Sequence, residues 1–179
     1  MTSATRSNAA AYIALGSNLP HAGVEGPALL EAALRALGEA GLELRRASSI
    51  WRTAPWPPAV QNDFHNAAIE VDAGCRGPEA VFELTSAIER AFGRERRARW
   101  DARTLDLDLI DFAGLSGTFG PVQLPHPRAH ERAFVLAPLA ELGWRHPTLG
   151  RTAAELLAAL PSGQEAIRIG SFTAFCPPP

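Results

Sequence analysis

The chain has 179 residues, of which 46% are hydrophobic and 20% charged, and its formal net charge is −2. That composition is globular and not disordered, fits a single domain able to bury a core, and supplies no global electrostatic reason for a nucleic-acid partner. All 17 basic residues are arginine. This excludes a P-loop lysine, a Schiff-base lysine and a catalytic ammonium, so any polyanion must be gripped by guanidinium forks.

Residues 1–8 are polar and read as a flexible tail. Ala11–Leu15 reads as a short buried strand stopped by Gly16-Ser17-Asn18-Leu19-Pro20, too short an apolar run for a signal peptide. Pro27 opens a helix with Leu30, Leu34 and Leu37 on one face, ended by Gly38 and Gly41. Leu42–Thr53 reads as one strand. Ala54-Pro55-Trp56-Pro57-Pro58 is irregular, because its prolines remove donors and fix φ. Phe64–Val71 is a further strand. Pro78 opens a second helix, striped by Val81, Leu84, Ile88 and Phe92 and ended by Gly93.

An arginine-rich loop leads to Leu105-Asp106-Leu107-Asp108-Leu109-Ile110, which alternates with period two. Val122–Leu124 reads as a short partner strand, Glu131–Leu142 as a third helix interrupted by Pro138, Thr152–Leu160 as a fourth, and Ala166–Ile169 as a last strand. The β-α-β-β-α-β order through residue 112 is a split βαβ pattern, predicting an antiparallel sheet with helices on one face and the later helices over the other. The two cysteines, Cys75 and Cys176, match no metal spacing and read as reduced. No apolar run approaches about 18 residues, so no membrane span is expected and the protein reads as cytoplasmic.

Asp106 and Asp108 carry the sharpest chemical signal. Residues i and i+2 of a strand project from the same face about 6.6–6.8 Å apart at Cα, so the leucines face the core and the carboxylates converge on the other side. Such a pair suits Mg²⁺, which takes one or two carboxylates together with phosphate oxygens; an ordinary solvated strand face gives the same alternation. Arg94, Arg96, Arg97, Arg99 and Arg103 crowd the preceding loop around Trp100. Guanidiniums beside metal-binding carboxylates suit phosphoryl-type transfer. The same loop also reads as a nucleic-acid patch with Trp100 stacking on a base, although no second basic cluster extends the track. Asn66 after Phe64, together with the Thr53–Trp56 turn, suggests a small-molecule wall, and His126 with Arg132 and Phe134 forms a looser group.

The stretches Ala11–Leu19, Gln61–Ala68, Arg99–Ile110, and Leu124-Pro125-His126 followed by Arg132-Ala133-Phe134 together resemble the hydroxymethyl-dihydropterin pyrophosphokinases, in order, over residues 11–142. The resemblance implies a ferredoxin-like α+β fold forming a single pyrophosphokinase domain over 1–179, with 143–179 as a poorly matched C-terminal extension. It implies transfer of a pyrophosphoryl group from ATP to 6-hydroxymethyl-7,8-dihydropterin with release of AMP, in folate biosynthesis. By similarity, Asp106 and Asp108 hold two Mg²⁺ ions, and Arg94, Arg96, Arg103 and Trp100 act on the phosphates and the closing loop. Glu89, Leu109, His126 and Arg132 then line the nucleotide site. Phe64 and Phe134 sandwich the pterin, Asn66 bonds its edge, and Thr53, Pro55, Trp56 and Trp100 complete its surroundings. Asp101 reads as a loop residue tempering the arginines and not as a third metal ligand. The expected partners are these small molecules alone, with no nucleic acid and no membrane, on a monomer. The competing expectations are a nucleic-acid-binding ferredoxin-like module and a non-catalytic pterin binder.

Overall fold

A computed structural model describes residues 9–94 and 102–173. The expectations for 1–8, Arg96, Arg97, Arg99, Trp100, Asp101 and Cys176 fall outside those described residues. β1 (Ala10–Ser17), α1 (Gly26–Glu39), β2 (Glu43–Ala47), β3 (Ile50–Thr53), β4 (Phe64–Asp72), α2 (Pro78–Ala91) and β5 (Asp106–Phe112) follow one another. After them come β6 (Gly117–Phe119), β7 (Val122–Leu124), a 3-10 turn at Ala129–Glu131, α3 (Ala133–Glu141), α4 (Ala153–Ala158) and β8 (Ala166–Gly170). The main sheet has six strands ordered β5-β1-β4-β3-β8, with β2 also paired to β4, and every pairing is antiparallel. β6 and β7 form a separate hairpin.

Period-two alternation divides the sheet between two apolar layers. Ile13, Leu15, Ile69, Val71, Leu107 and Leu109 pack with Leu30, Leu37, Val81 and Ile88 of α1 and α2. On the other face, Ala68 and Ile110 pack with Val135, Leu136 and Leu139 of α3, with Trp144 and with Leu156 of α4. Each fully buried Leu or Ile contributes roughly 1.5–3 kcal/mol, and helices cover both faces of the antiparallel sheet, as the alternation predicts.

β5 does not keep one alternation throughout. Asp108 pairs with Ala14 and Leu109 with Ile13, but Asp111, not Ile110, pairs with Tyr12. Ile110 is therefore the extra residue of a bulge. The shift turns Asp111 toward the α3 layer, where its Oδ2 accepts the Trp144 Nε1–H at 2.8 Å and its Oδ1 accepts the Gly114 N–H at 3.0 Å. Both Asp111 and Trp144 are buried, so the indole and the carboxylate satisfy each other where water does not reach.

Three expectations need correction. Leu42–Thr53 is two strands, because Ser48 and Ser49 take over the backbone pairing. Ser48 Oγ accepts the Ala68 N–H at 2.9 Å, and the Ser49 N–H donates to Glu141 at 2.6 Å, the local competition that serine side chains offer to a ladder. Gly38 does not stop α1, which runs to Glu39 before Gly41 turns the chain with φ +83°. Pro138 does not break α3. An internal proline costs about 3 kcal/mol, but Val135, Leu136, Ala137 and Leu139 are all buried around it, and that packing outweighs the lost bond. The helix itself starts at Ala133, after the 3-10 turn.

Trp144→Phe should destabilise the protein by about 1–3 kcal/mol, since it leaves Asp111 Oδ2 buried without its donor. In urea denaturation, Trp144→Phe combined with Asp111→Ala should cost less than the sum of the two single changes.

Candidate active site

Four strands end together at one edge of the molecule. The C-terminal part of β1 (Ala14, Leu15, Gly16), the end of β3 (Thr53), the start of β4 (Phe64, Asn66) and the start of β5 (Asp106, Asp108) line one cavity of about 360 Å³. Its walls come from Ala54, Trp56, Pro57 and Gln61 on one side, from His126, Pro127, Arg128, Arg132, Phe134 and Val135 on the other, and from Arg94 and Arg103. Gly16 pairs with Asn66 on one side and Asp106 on the other. A Cβ there would lie 3.1 Å from Asn66 Oδ1, so the bare glycine keeps the floor open between the amide and the carboxylate.

Asp106 sits between two guanidiniums. Its Oδ1 lies 2.7 Å from Arg94 Nη1, and its Oδ2 accepts a hydrogen bond from Arg103. Arg94 is held from behind by Glu89, whose Oε1 also accepts the Leu107 N–H at 2.7 Å. Burial pushes the Glu89 carboxyl above its ordinary range, against the pull of the Leu107 N–H and Arg94. Burial, reinforced by the Asp106 and Glu89 charges, pushes Asp108 up to about 7. Desolvation and the neighbouring Arg132 push His126 down to about 4, so its ring is neutral near pH 7. Burial and then Arg128 lower Arg132 from its usual range.

The opposite wall is aromatic and amide-bearing. The Asn66 Nδ2–H donates to Thr53 Oγ1 at 2.8 Å, which fixes the amide and leaves its carbonyl oxygen directed by the same bond. Phe64 pairs across the ladder with Thr53. Phe134 enters from α3, with Arg132 Cζ 5.6 Å above its ring centre.

The structure thus brings Thr53, Trp56, Phe64, Asn66, Arg94, Arg103, Asp106, Asp108, His126, Arg132 and Phe134 to one cavity. It does not bring Glu89, Leu109 or Pro55 to that lining. Leu109 is buried in the α1–α2 layer, because it alternates with Asp108 along β5. Glu89 pairs with Arg94 from outside the lining, and Pro55 is buried and is not part of it. Arg96, Trp100 and Asp101 lie outside the described residues. Arg128 and Gln61, to which the sequence assigns no role, also line the cavity; a second arginine spaced four residues before Arg132 is the available signal. Asn18 does more than break β1. Its Oδ1 accepts the Arg103 N–H at 2.7 Å, and its Nδ2 donates to Gln61 and to the Asn62 carbonyl, each at 3.2 Å.

Among the described residues, no group of three or more carboxylate, imidazole or thiol side chains is placed to hold a metal ion. The two hard carboxylate donors line one cavity from the same face of β5 and suit Mg²⁺, which keeps substrate phosphates and waters in its shell.

Residues 12–143 match the family model of 7,8-dihydro-6-hydroxymethylpterin-pyrophosphokinase. A 2-amino-4-hydroxy-6-hydroxymethyldihydropteridine pyrophosphokinase of Methylorubrum extorquens is 37% identical over 159 residues, covering 88% of this chain and 98% of that one. The enzyme of the same name from Bacillus subtilis is 40% identical over 135 residues, 75% of this chain and 78% of that one. A crystal structure of Plasmodium falciparum HPPK-DHPS superposes with a TM-score of 0.65 at 13% identity, covering 87% of this chain. This chain spans 45% of that one, and the likeness there concerns the fold. The chain belongs to the 7,8-dihydro-6-hydroxymethylpterin-pyrophosphokinase family and is an enzyme that transfers a pyrophosphoryl group to hydroxymethyldihydropterin in folate biosynthesis.

Proposed function

We propose that the cavity holds ATP and the reduced pterin together, with the phosphates over the β1–β5 end and the pterin between Phe64 and Phe134. The observation that carries this reading is that two carboxylates, four arginines and two phenylalanines line one cavity. Asn66, oriented by Thr53, reads the pterin edge, and Trp56 with the Gln61 side of the loop closes that end. Arg94, Arg103, Arg128 and Arg132 surround the phosphates. His126, kept neutral, contributes a hydrogen-bonding group and no extra charge. Glu89 acts through Arg94 and the Leu107 N–H and does not touch substrate.

Two Mg²⁺ ions would be held by Asp106 and Asp108, and when bound they would neutralise charge on the ATP phosphates. In the reaction the pterin hydroxymethyl oxygen forms a bond to the β-phosphorus and loses its proton, while the bond from that phosphorus to the α–β bridging oxygen breaks and AMP departs with its electron pair. The arginines contribute fixed positive charge where negative charge develops, and the aromatic pair holds the hydroxymethyl group near its target. The described residues act as one pyrophosphokinase unit in a cytoplasmic monomer whose partners are small molecules and not nucleic acid. No helix among the described residues is long and apolar enough to cross a membrane.

Asp106→Ala and Asp108→Ala should each lower turnover by on the order of 10²–10³-fold or more while the fold persists, because each loses an electrostatic contact made in a closed site. A coupled assay of AMP release with circular dichroism of the same samples decides this. Phe64→Leu and Phe134→Leu should weaken pterin binding by roughly 2- to 12-fold, equivalent to about 0.5–1.5 kcal/mol of ring stacking, with ATP affinity little changed in calorimetry.

The pH behaviour has a definite sign. Asp108 is raised from 3.8 to about 7, so the native protein holds that proton more tightly than the unfolded chain does. Metal-free stability from this group is therefore fully present below about pH 3.8 and is lost progressively as pH rises from there to about 7, levelling off above. Mg²⁺ competes with the same proton, so its half-saturating concentration should fall between pH 6 and 8 and level off above. Thermal melts with and without Mg²⁺ between about pH 4 and pH 8 measure both effects.

A further inference from the structure

α3 begins at Ala133 with Arg132 at its N-cap, and no side chain of that N-cap closes the helix end. The first N–H groups of a helix have no partner within it. At Ala133 the partner comes from far downstream: Gln164 Oε1 accepts the Ala133 N–H at 3.0 Å, and Gln164 Nε2 donates to the Glu131 carbonyl at 3.1 Å. Arg132 between them is extended, with φ −125° and ψ 115°. In an extended residue the preceding carbonyl and the following N–H point to the same side. One planar side-chain amide therefore does for Arg132 what a neighbouring strand would do. Gln164 itself stands two residues before Ala166, whose strand β8 pairs with β3 at Thr53. The amide thus links the strand edge that orients Asn66 to the backbone that carries Arg132.

We propose that Gln164 is a positioning residue that sets the direction of the Arg132 guanidinium in the cavity, and through it the affinity for the ATP phosphates. The role requires both an acceptor and a donor in one planar group, which among side chains of this length only an amide supplies. The inference rests on the reading that Arg132 meets the nucleotide. It assigns a function to a residue beyond the 12–143 stretch that the family model matches.

The test uses the full chain and titration calorimetry with α,β-methylene-ATP and Mg²⁺. Gln164→Met removes both bonds at nearly constant shape and should weaken binding about fivefold, the order of one net hydrogen bond. Gln164→Glu keeps the acceptor but not the donor and should fall between Gln164→Met and the wild type. Arg132→Met should weaken binding more strongly, and Gln164→Met added to it should have no further effect, because the clamp then has nothing to aim. A merely structural role would instead multiply with the Arg132 change. Near-UV circular dichroism checks that each variant is folded, and Gln164→Glu carries the test if Gln164→Met is not. Wild-type affinity in the folded Gln164 variants alongside a weakened Arg132→Met, or full multiplication in the double variant, overturns the clamp. Wild-type affinity in Arg132→Met overturns instead the nucleotide role of Arg132, and the clamp falls with it.

Discussion

Asp106 and Asp108 project side by side from a strand whose opposite face is leucine, and burying two such carboxylates is costly unless positive charge surrounds them. The end of the sheet is organised around that cost. Arg94 and Arg103 flank Asp106, Glu89 braces Arg94, and the Leu107 N–H on the same strand binds Glu89. The sequence Leu107 N–H, Glu89, Arg94, Asp106, Arg103 is one connected chain of contacts that begins on β5 and ends four residues earlier, on its approach. Asp108 is less fully compensated and keeps its raised proton affinity. The alternation that makes β5 a good core strand therefore also makes it an anionic platform, and a single element links folding to phosphate chemistry.

Much of this was legible because it depends on local periodicity. The Asp-Leu repeat fixed which side of β5 is polar, the Phe64-x-Asn66 spacing put ring and amide on one face of β4, and Pro27 and Pro78 marked helix starts that the structure places at Gly26 and Pro78. The departures share a cause: each is decided by a contact distant in sequence. Ser48 and Ser49 divide a strand because Ala68 and Glu141 are there to receive them. Pro138 stays in a helix because a buried layer closes around it. Leu109 is implied at the nucleotide by resemblance, while its own alternation assigns its side chain to the core, where it is buried.

The residues after 143 illustrate the same limit. Nothing in their pattern announces a role, yet Trp144 closes over Asp111, His146 is buried with its ring centre 5.4 Å from that of the indole, and Gln164 reaches back to the start of α3. A capping box at Thr152 and Glu155 anchors α4 between them. Short-range signals identify such pieces as helix or strand, and the strand order sends the later helices to the second face, but neither shows which contacts they make there.

The bulge at Ile110 divides β5 into two halves with different obligations. Before it, the polar face looks into the cavity; after it, the polar face is handed to Trp144 and the α3 layer. Since one residue of slip inverts a strand's faces, the same sequence paired without the bulge would turn the Asp111 carboxylate into the α1–α2 layer, whereas the bulge keeps it opposite Tyr12 on the α3 side. The bulge thus lets one strand aim carboxylates at two different surroundings, Asp108 into the cavity and Asp111 onto the Trp144 indole.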